Sequence, residues 1–151
     1  MNPTPEDLST LYPENHISTV ITSYGTGHND PPTGEALLVD TRSLRNPPDD
    51  PAVRERMLHS NGLNPEVRRY VMNTPGATTI VTRNAEKALL LLANTEQWAD
   101  KPLQRVDIHV LCGGGRHRSV AIAEEIAVHL RAAGIGCEVE HRHIDRPILP
   151  H

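Results

Sequence analysis

The sequence predicts a small layered α/β domain with a mainly parallel sheet and a strand–glycine loop–helix anion site. Three observations predict it. An apolar run from Val106 to Leu111 passes through Cys112 into three consecutive glycines, Gly113, Gly114 and Gly115. A helical pattern begins near His117 and runs to about Ala133, with Ala123, Ala127 and Leu130 on one face and Ile122 and Ile126 widening it. A last alternating segment, Gly136 to Ile144, then reads as a strand. Strand, helix and strand form a βαβ unit, whose strands run parallel. Ligands of such sheets sit beyond the carboxyl ends of the strands, where the glycine loop lies.

The remaining elements follow in chain order. Residues 1–16 carry Pro3, Pro5 and Pro13 and read as a flexible leader, leaving 17–151 as the domain. Ser18 to Ser23, with Ile17, Val20 and Ile21, reads as a first strand. Tyr24 to Pro32 is loop by composition. Ala36 to Val39 is a short strand ending at Asp40-Thr41-Arg42. The prolines of Asn46 to Pro51 predict an irregular segment. Asn64-Pro65-Glu66 is a helix start, with Asn as N-cap and Pro at the first helical position, and that helix continues through Met72. A longer helix is predicted over Arg83 to Ala99 and a strand over Arg105 to Leu111. Gly134 supplies the C-terminal stop of the following helix, with Arg131 in its last turn. In the final strand, Val139, His141 and His143 alternate onto one face.

Composition bounds the function. The 151 residues contain no Phe and only 3% aromatics, so Leu, Ile, Val and Ala must build the core. Formal net charge is −4, and Lys occurs only at Lys87 and Lys101. From Lys101 onward seven Lys and Arg face six Asp and Glu, little attraction for a phosphate backbone. No apolar run approaches the roughly 20 residues that span a bilayer, so no membrane partner is expected. The N-terminus lacks the basic and apolar regions of a signal peptide, which makes the cytoplasm the expected compartment. Cys112 and Cys137 fall at opposite ends of strands taken as parallel neighbours, roughly 20 Å apart, too far for a disulfide.

The loop Cys112 to Ser119 carries the chemistry. Backbone N–H groups converge at a glycine turn entering a helix, and the helix dipole is positive there. Arg116, His117 and Arg118 add donors suited to a phosphate or carboxylate. The sequence fits neither a Walker A loop nor a dinucleotide fingerprint. A plain turn needs fewer glycines and no Arg-His-Arg. Cys112, five intervening residues, Arg118 and Ser119 match the loop of cysteine-dependent phosphatases. There a thiolate activated by nearby cations and the helix N-terminus attacks phosphorus, so Cys112 is the catalytic candidate under that reading. Leu111 stands where the common phosphatase pattern has His, and Asp30 or Asp50 are the candidate acids. The binding and enzymatic readings both stay open at this point.

The stretch Cys112-Gly113-Gly114-Gly115-Arg116-His117-Arg118-Ser119-Val120, with Ile122-Ala123-Glu124 after it, resembles the signature of the C-terminal domain of RapZ-type RNase adaptor proteins. Ser23-Tyr24-Gly25, Asp40-Thr41-Arg42, Asn46-Pro47 and His141-Arg142 resemble further family elements in the right order. The likeness spans about Ile17 to Arg146. It implies a regulatory sensor or adaptor that binds an amino-sugar phosphate or similar oxyanion. The implied ligand set is Gly114, Gly115, His117, Arg118 and Ser119 from the loop, with Asp40, Arg42, Asn46, His141 and Arg142 around it. Some members present small RNAs to a ribonuclease, so RNA or a ribonuclease is a further implied partner class. Gly113 replaces the family Thr, and the Lys/Arg-rich RNA tail has no counterpart in Ile144 to His151. The family's N-terminal nucleotide-binding domain has no counterpart in these residues, so nucleotide hydrolysis is not implied.

Other residues receive plainer readings. Asp40 and Arg42 alternate onto one side of a strand end, as a local ion pair or as ligand-facing groups. His109, His117, His141, His143 and Cys112 form no metal-binding signature, and neither metal nor cofactor is expected. His129 and Trp98 read as packing or surface residues, and Asp49-Asp50 as solvated loop charge. Self-association stays open.

Overall fold

The computed structural model describes residues 17–44, 50–93 and 105–149. Four strands form one sheet: β1 (Ile17–Gly25), β2 (Leu37–Asp40), β3 (Ile108–Cys112) and β4 (Gly136–His141), in the order β2-β3-β1-β4. All three pairings are parallel. Among the described residues four α-helices accompany them, α1 (Pro51–Leu58), α2 (Pro65–Met72), α3 (Ala77–Ala93) and α4 (Arg118–Ala132), with one 3-10 turn at Thr26–His28. The predicted α/β class with its parallel sheet is what the structure has.

One face of the sheet carries the core. Ile21 of β1, Val39 of β2, Ile108 and Val110 of β3 and Cys137 of β4 join one buried cluster with Val67, Val81, Leu92, Ile122, Ile126 and Leu130 from the helices. The α4 stripe Ile122, Ala123, Ile126, Ala127 and Leu130 is fully buried, the periodicity anticipated for a helix lying on a sheet. The alternate strand residues Val20, Thr22, Leu38, His109, Glu138 and Glu140 lie on the other face, outside that cluster. Among the described residues no helix is long and apolar enough to cross a membrane.

Several boundaries depart from expectation for identifiable reasons. Pro51 is not irregular: it occupies the first position of α1, where its missing N–H costs nothing, and the Asp50 side chain caps the helix by accepting from Val53 N–H at 3.0 Å. Asp50 is therefore an N-cap rather than idle loop charge. Asn64 caps α2 as expected, accepting from Glu66 N–H at 2.8 Å. Helix α3 starts at Ala77, six residues before the expected Arg83. Thr78, Thr79, Ile80, Val81 and Thr82 are β-branched and weak helix formers, yet Ala77, Val81, Ala85, Ala88 and Leu92 bury a continuous stripe that overrides propensity. Its expected end at Ala99, Trp98, Asn46 and the leader 1–16 lie outside the described residues.

Strand β1 runs on through Tyr24 and Gly25, which composition assigned to a loop, because both pair with β3. Strand β3 begins at Ile108 rather than Arg105. Strand β4 ends at His141, so His143 does not share the face of Val139 and His141. The chain turns after Arg142, whose N–H still reaches Ser23 O at 2.9 Å, and His143 tucks beneath the end of β1. Strands β3 and β4 are not neighbours, since β1 lies between them. Cys112 and Cys137 are both free and buried. Gly134, at φ 85°, stops α4 as expected.

Candidate anion site

The glycine loop joins the carboxyl end of β3 to the N-terminus of α4. Its carbonyls are tied down in succession by the turn that follows β1. The Thr26 hydroxyl donates to Cys112 O at 3.4 Å, Gly27 N–H to Gly113 O at 3.0 Å, and His28 Nε2–H to Gly114 O at 3.1 Å. A trans peptide points its N–H opposite its C=O. Anchoring three consecutive carbonyls on one side therefore turns the N–H groups of Gly113, Gly114 and Gly115 to the other. Of these, Gly115 N–H donates to Cys112 Sγ at 3.2 Å. Arg116 O accepts from Gly62 N–H at 2.7 Å, which orients His117 N–H by the same rule. Among the described residues the N–H groups of Gly114, Arg116 and His117 have no acceptor. The first amides of α4 add further donors, and its dipole adds positive potential.

Glycine is required at two places by contact rather than by taste. A Cβ on Gly25 would stand 2.5 Å from the Gly114 carbonyl carbon, backbone against backbone. Gly115 adopts φ 77°, and a Cβ there would meet Gly25 N at 2.6 Å. A Cβ on Gly114 would meet nothing within 4 Å, so the outer side of the loop is open.

The side chains named from sequence divide into groups. Arg118 reaches across to the end of β2: Nη1 donates to Arg42 O at 3.0 Å and Leu44 O at 3.1 Å. Its Nη2 lies over the loop, 3.8 Å from where a Gly113 Cβ would be. Asp40 and Arg42 form a bidentate pair, the shortest contact being 2.7 Å, and this guanidinium holds the Asp40 carboxyl below its ordinary pKa. Cys112 and Ser119 are buried together, with Sγ and Oγ 3.1 Å apart.

Arg116 and His117 anchor neighbouring segments. Arg116 donates to Ile144 O, Arg146 O and Ser60 O, while its buried Nε has no partner among the described residues. His117 Nε2–H points at Met57 O (2.9 Å) and Leu58 O (3.2 Å), satisfying carbonyls in the last turn of α1. Burial lowers the His117 pKa, keeping the ring neutral. His141 lies at the end of β4 on the helix-facing side, with Nδ1 2.6 Å from Ser23 Oγ and Nε2 3.3 Å from Glu124 Oε1. Arg142 lies on the opposite face and binds Asp30 through Nε to O and Nη2 to Oδ1, both at 2.7 Å.

Sequence reasoning passed over Thr26, Gly27 and His28, which align the loop, and over the role of His143. His143 is fully buried, accepts Gly25 N–H at Nδ1 (2.8 Å), and lies 4.6 Å from the His28 ring. The Gly-x-Gly-His spelling of residues 25–28 was the available signal, and it becomes legible only once β1 and β3 are paired.

The chain matches the family model of the RapZ C-terminal domain over residues 17–145. It is 39% identical to a nucleotide-binding protein of Streptomyces coelicolor over 115 residues, 76% of this chain and 36% of that protein. It is 34% identical to a nucleotide-binding protein of Zymomonas mobilis over 139 residues, 91% of this chain and 41% of that one. A nucleotide-binding protein of Thermus thermophilus is 39% identical over 118 residues, 77% of this chain and 39% of its own length. The chain thus spans well under half of each of these relatives.

Proposed function

The chain belongs to the RapZ C-terminal domain family, and on that premise we propose that it is a regulatory binding domain that holds the phosphoryl group or other oxyanion of a small molecule, of the amino-sugar phosphate class, at the Cys112–Ser119 loop. One observation carries the reading. The carbonyls of Cys112, Gly113 and Gly114 are all engaged by Thr26, Gly27 and His28, which leaves consecutive amides facing away from them at a helix N-terminus. Arg118 Nη2 over the loop is the charged donor for the same anion. In this reading Asp40 and Arg42, paired with each other at the end of β2, meet the rest of the molecule.

A thermal-shift panel of sulfate, inorganic phosphate, amino-sugar phosphates and nucleotides tests this, the last because the relatives are named nucleotide-binding proteins. A ligand at about a hundredfold its Kd adds about 2.7 kcal/mol, a rise of several degrees at this size. The reading requires a selective rise with one phosphorylated compound that Arg118→Ala removes. No rise with any anion would leave the loop as a turn.

A second reading is favoured by the thiol geometry. Cys112 Sγ receives the Gly115 N–H and neighbours Ser119 Oγ, an environment that also suits a phosphatase thiolate. It requires turnover of an aryl phosphate that disappears in Cys112→Ser.

A further inference from the structure

After β4 the chain stays with the anion loop. His143 to Leu149 enter neither helix nor strand, yet they contact the loop or its supports at three separate points. His143 accepts Gly25 N–H at Nδ1 (2.8 Å), and a Cβ on Gly115 would stand 3.0 Å from its own Cβ. Arg116, itself a loop residue, donates through Nη1 to Ile144 O at 2.7 Å and to Arg146 O at 3.0 Å. Leu149 lies against Gly27, where an added Cβ would run into Leu149 Cδ1.

Two of these contacts bear on the amides assigned to the anion. The Arg116 N–H is one of those without an acceptor, and its side chain is fixed largely by this segment. Apart from Ile144 O and Arg146 O, the guanidinium reaches only Ser60 O, at 3.2 Å, among the described residues. Gly27 is the residue whose N–H holds Gly113 O at 3.0 Å, and so helps decide which way the loop peptides face. Leu149 packs on that same residue.

We infer that residues 143–149 form a strap whose docking is coupled to occupancy of the anion loop, an inference that rests on the reading of that loop given above. Docked, the strap holds Arg116 and Gly27 where the loop amides face the anion. Lifted, it frees both, and affinity falls. A segment outside helix and sheet opens locally at small cost, which supplies the two states that coupling needs. The coupling is reciprocal. A bound anion holds the strap down by the same factor by which the docked strap tightens the anion. Arg116 and Leu149 are then positioning residues, whose side chains act through the backbone of the loop.

The test titrates the full chain with inorganic phosphate and compares Leu149→Asp, Leu149→Met and Arg118→Ala. Affinity is read by NMR titration and strap docking by hydrogen exchange at Arg146 N–H, which donates to His143 O at 3.0 Å within the segment. Leu149→Asp should bind phosphate at least about fivefold more weakly, the low end of ordinary coupling, and Leu149→Met about as well as wild type. Saturating phosphate should slow Arg146 exchange in the wild type by a matching factor, and leave it unchanged in Arg118→Ala. The exchange measurement alters no strap residue, so it decides the matter even if Leu149→Asp fails to fold. Wild-type phosphate affinity in Leu149→Asp, or Arg146 exchange indifferent to phosphate in a wild type that binds it, overturns the strap and leaves the anion site standing. No phosphate binding at the wild-type loop overturns the anion reading itself, and the strap with it.

Discussion

His28 donates its Nε2–H to the carbonyl oxygen of Gly114 at 3.1 Å across a separation of 86 residues. With the Gly27–Gly113 bond beside it, this contact sets which way the loop's amides face. In His28→Ala the Gly114 carbonyl loses one partner. A hydrogen bond of this kind contributes about 1 kcal/mol, so anion affinity should fall about fivefold. Calorimetric titration with the phosphorylated ligand identified by the thermal panel checks the prediction, and unchanged affinity counts against the alignment argument.

Gly25 and Gly114 should respond oppositely to the same added methyl. Gly25→Ala drives a Cβ to 2.5 Å from the Gly114 carbonyl carbon, and backbone cannot yield as a side-chain tip can. A loss of about 1–3 kcal/mol in stability is expected, together with weaker anion binding. Gly114→Ala meets nothing within 4 Å and should keep its unfolding midpoint. Urea denaturation of the two variants decides the matter.

Stability should fall as pH drops below the ordinary histidine value of about 6.5. Burial is the leading cause of the lowered pKa at both His117 and His143. A histidine with a depressed folded pKa stays neutral in the fold while the unfolded chain takes up a proton. Protonation thus favours unfolding from about pH 6.5 downward until the folded pKa is reached. His143 Nε2 stands 3.5 Å from Asp30 Oδ2, with His28 and Arg146 also nearby, and burial outweighs that carboxylate. The lowered carboxylates Asp30, Asp40 and Glu66 act in a different window, below about pH 4. His143→Asn keeps an acceptor near Gly25 N–H without titrating there, so its melting temperature should vary less between pH 7 and 5 than the wild type's. An equal slope in both would exclude His143 as a contributor.

Asp50→Ala should cost about 1 kcal/mol, the ordinary worth of an N-cap, since Val53 N–H then loses its acceptor. Asp50→Asn should retain most of that stability. Chemical denaturation of the pair against wild type separates a cap from idle surface charge, for which both substitutions would be neutral.

The legible parts of this protein were the local ones. Glycines ahead of Arg-His-Arg, the alternating last strand, the Asn64-Pro65 start and the Gly134 stop each report a backbone demand met within a few residues. Pro51 misled because the same ring that breaks a helix interior suits its first position, and only the capping by Asp50 tells the two apart. The onset of α3 was hidden by β-branched residues whose burial, rather than propensity, makes them helical. In the site, sequence located the loop but could not orient its side chains. Arg116 and His117 look like anion donors in a string of letters, and in space their side chains hold the Ile144–Arg146 segment and the end of α1. Conversely, Thr26 to His28 reads as an ordinary loop until parallel pairing brings Gly25 opposite Cys112. Such relations depend on strand order, which no local pattern encodes.

The most direct test of the account is an amide NMR titration of the full chain with inorganic phosphate. The account predicts saturable shifts concentrated at Gly114, Arg116, His117 and the first turn of α4, all abolished in Arg118→Ala while the remaining spectrum is preserved. Saturable shifts confined to other regions, or loop shifts that persist undiminished in Arg118→Ala, would contradict it.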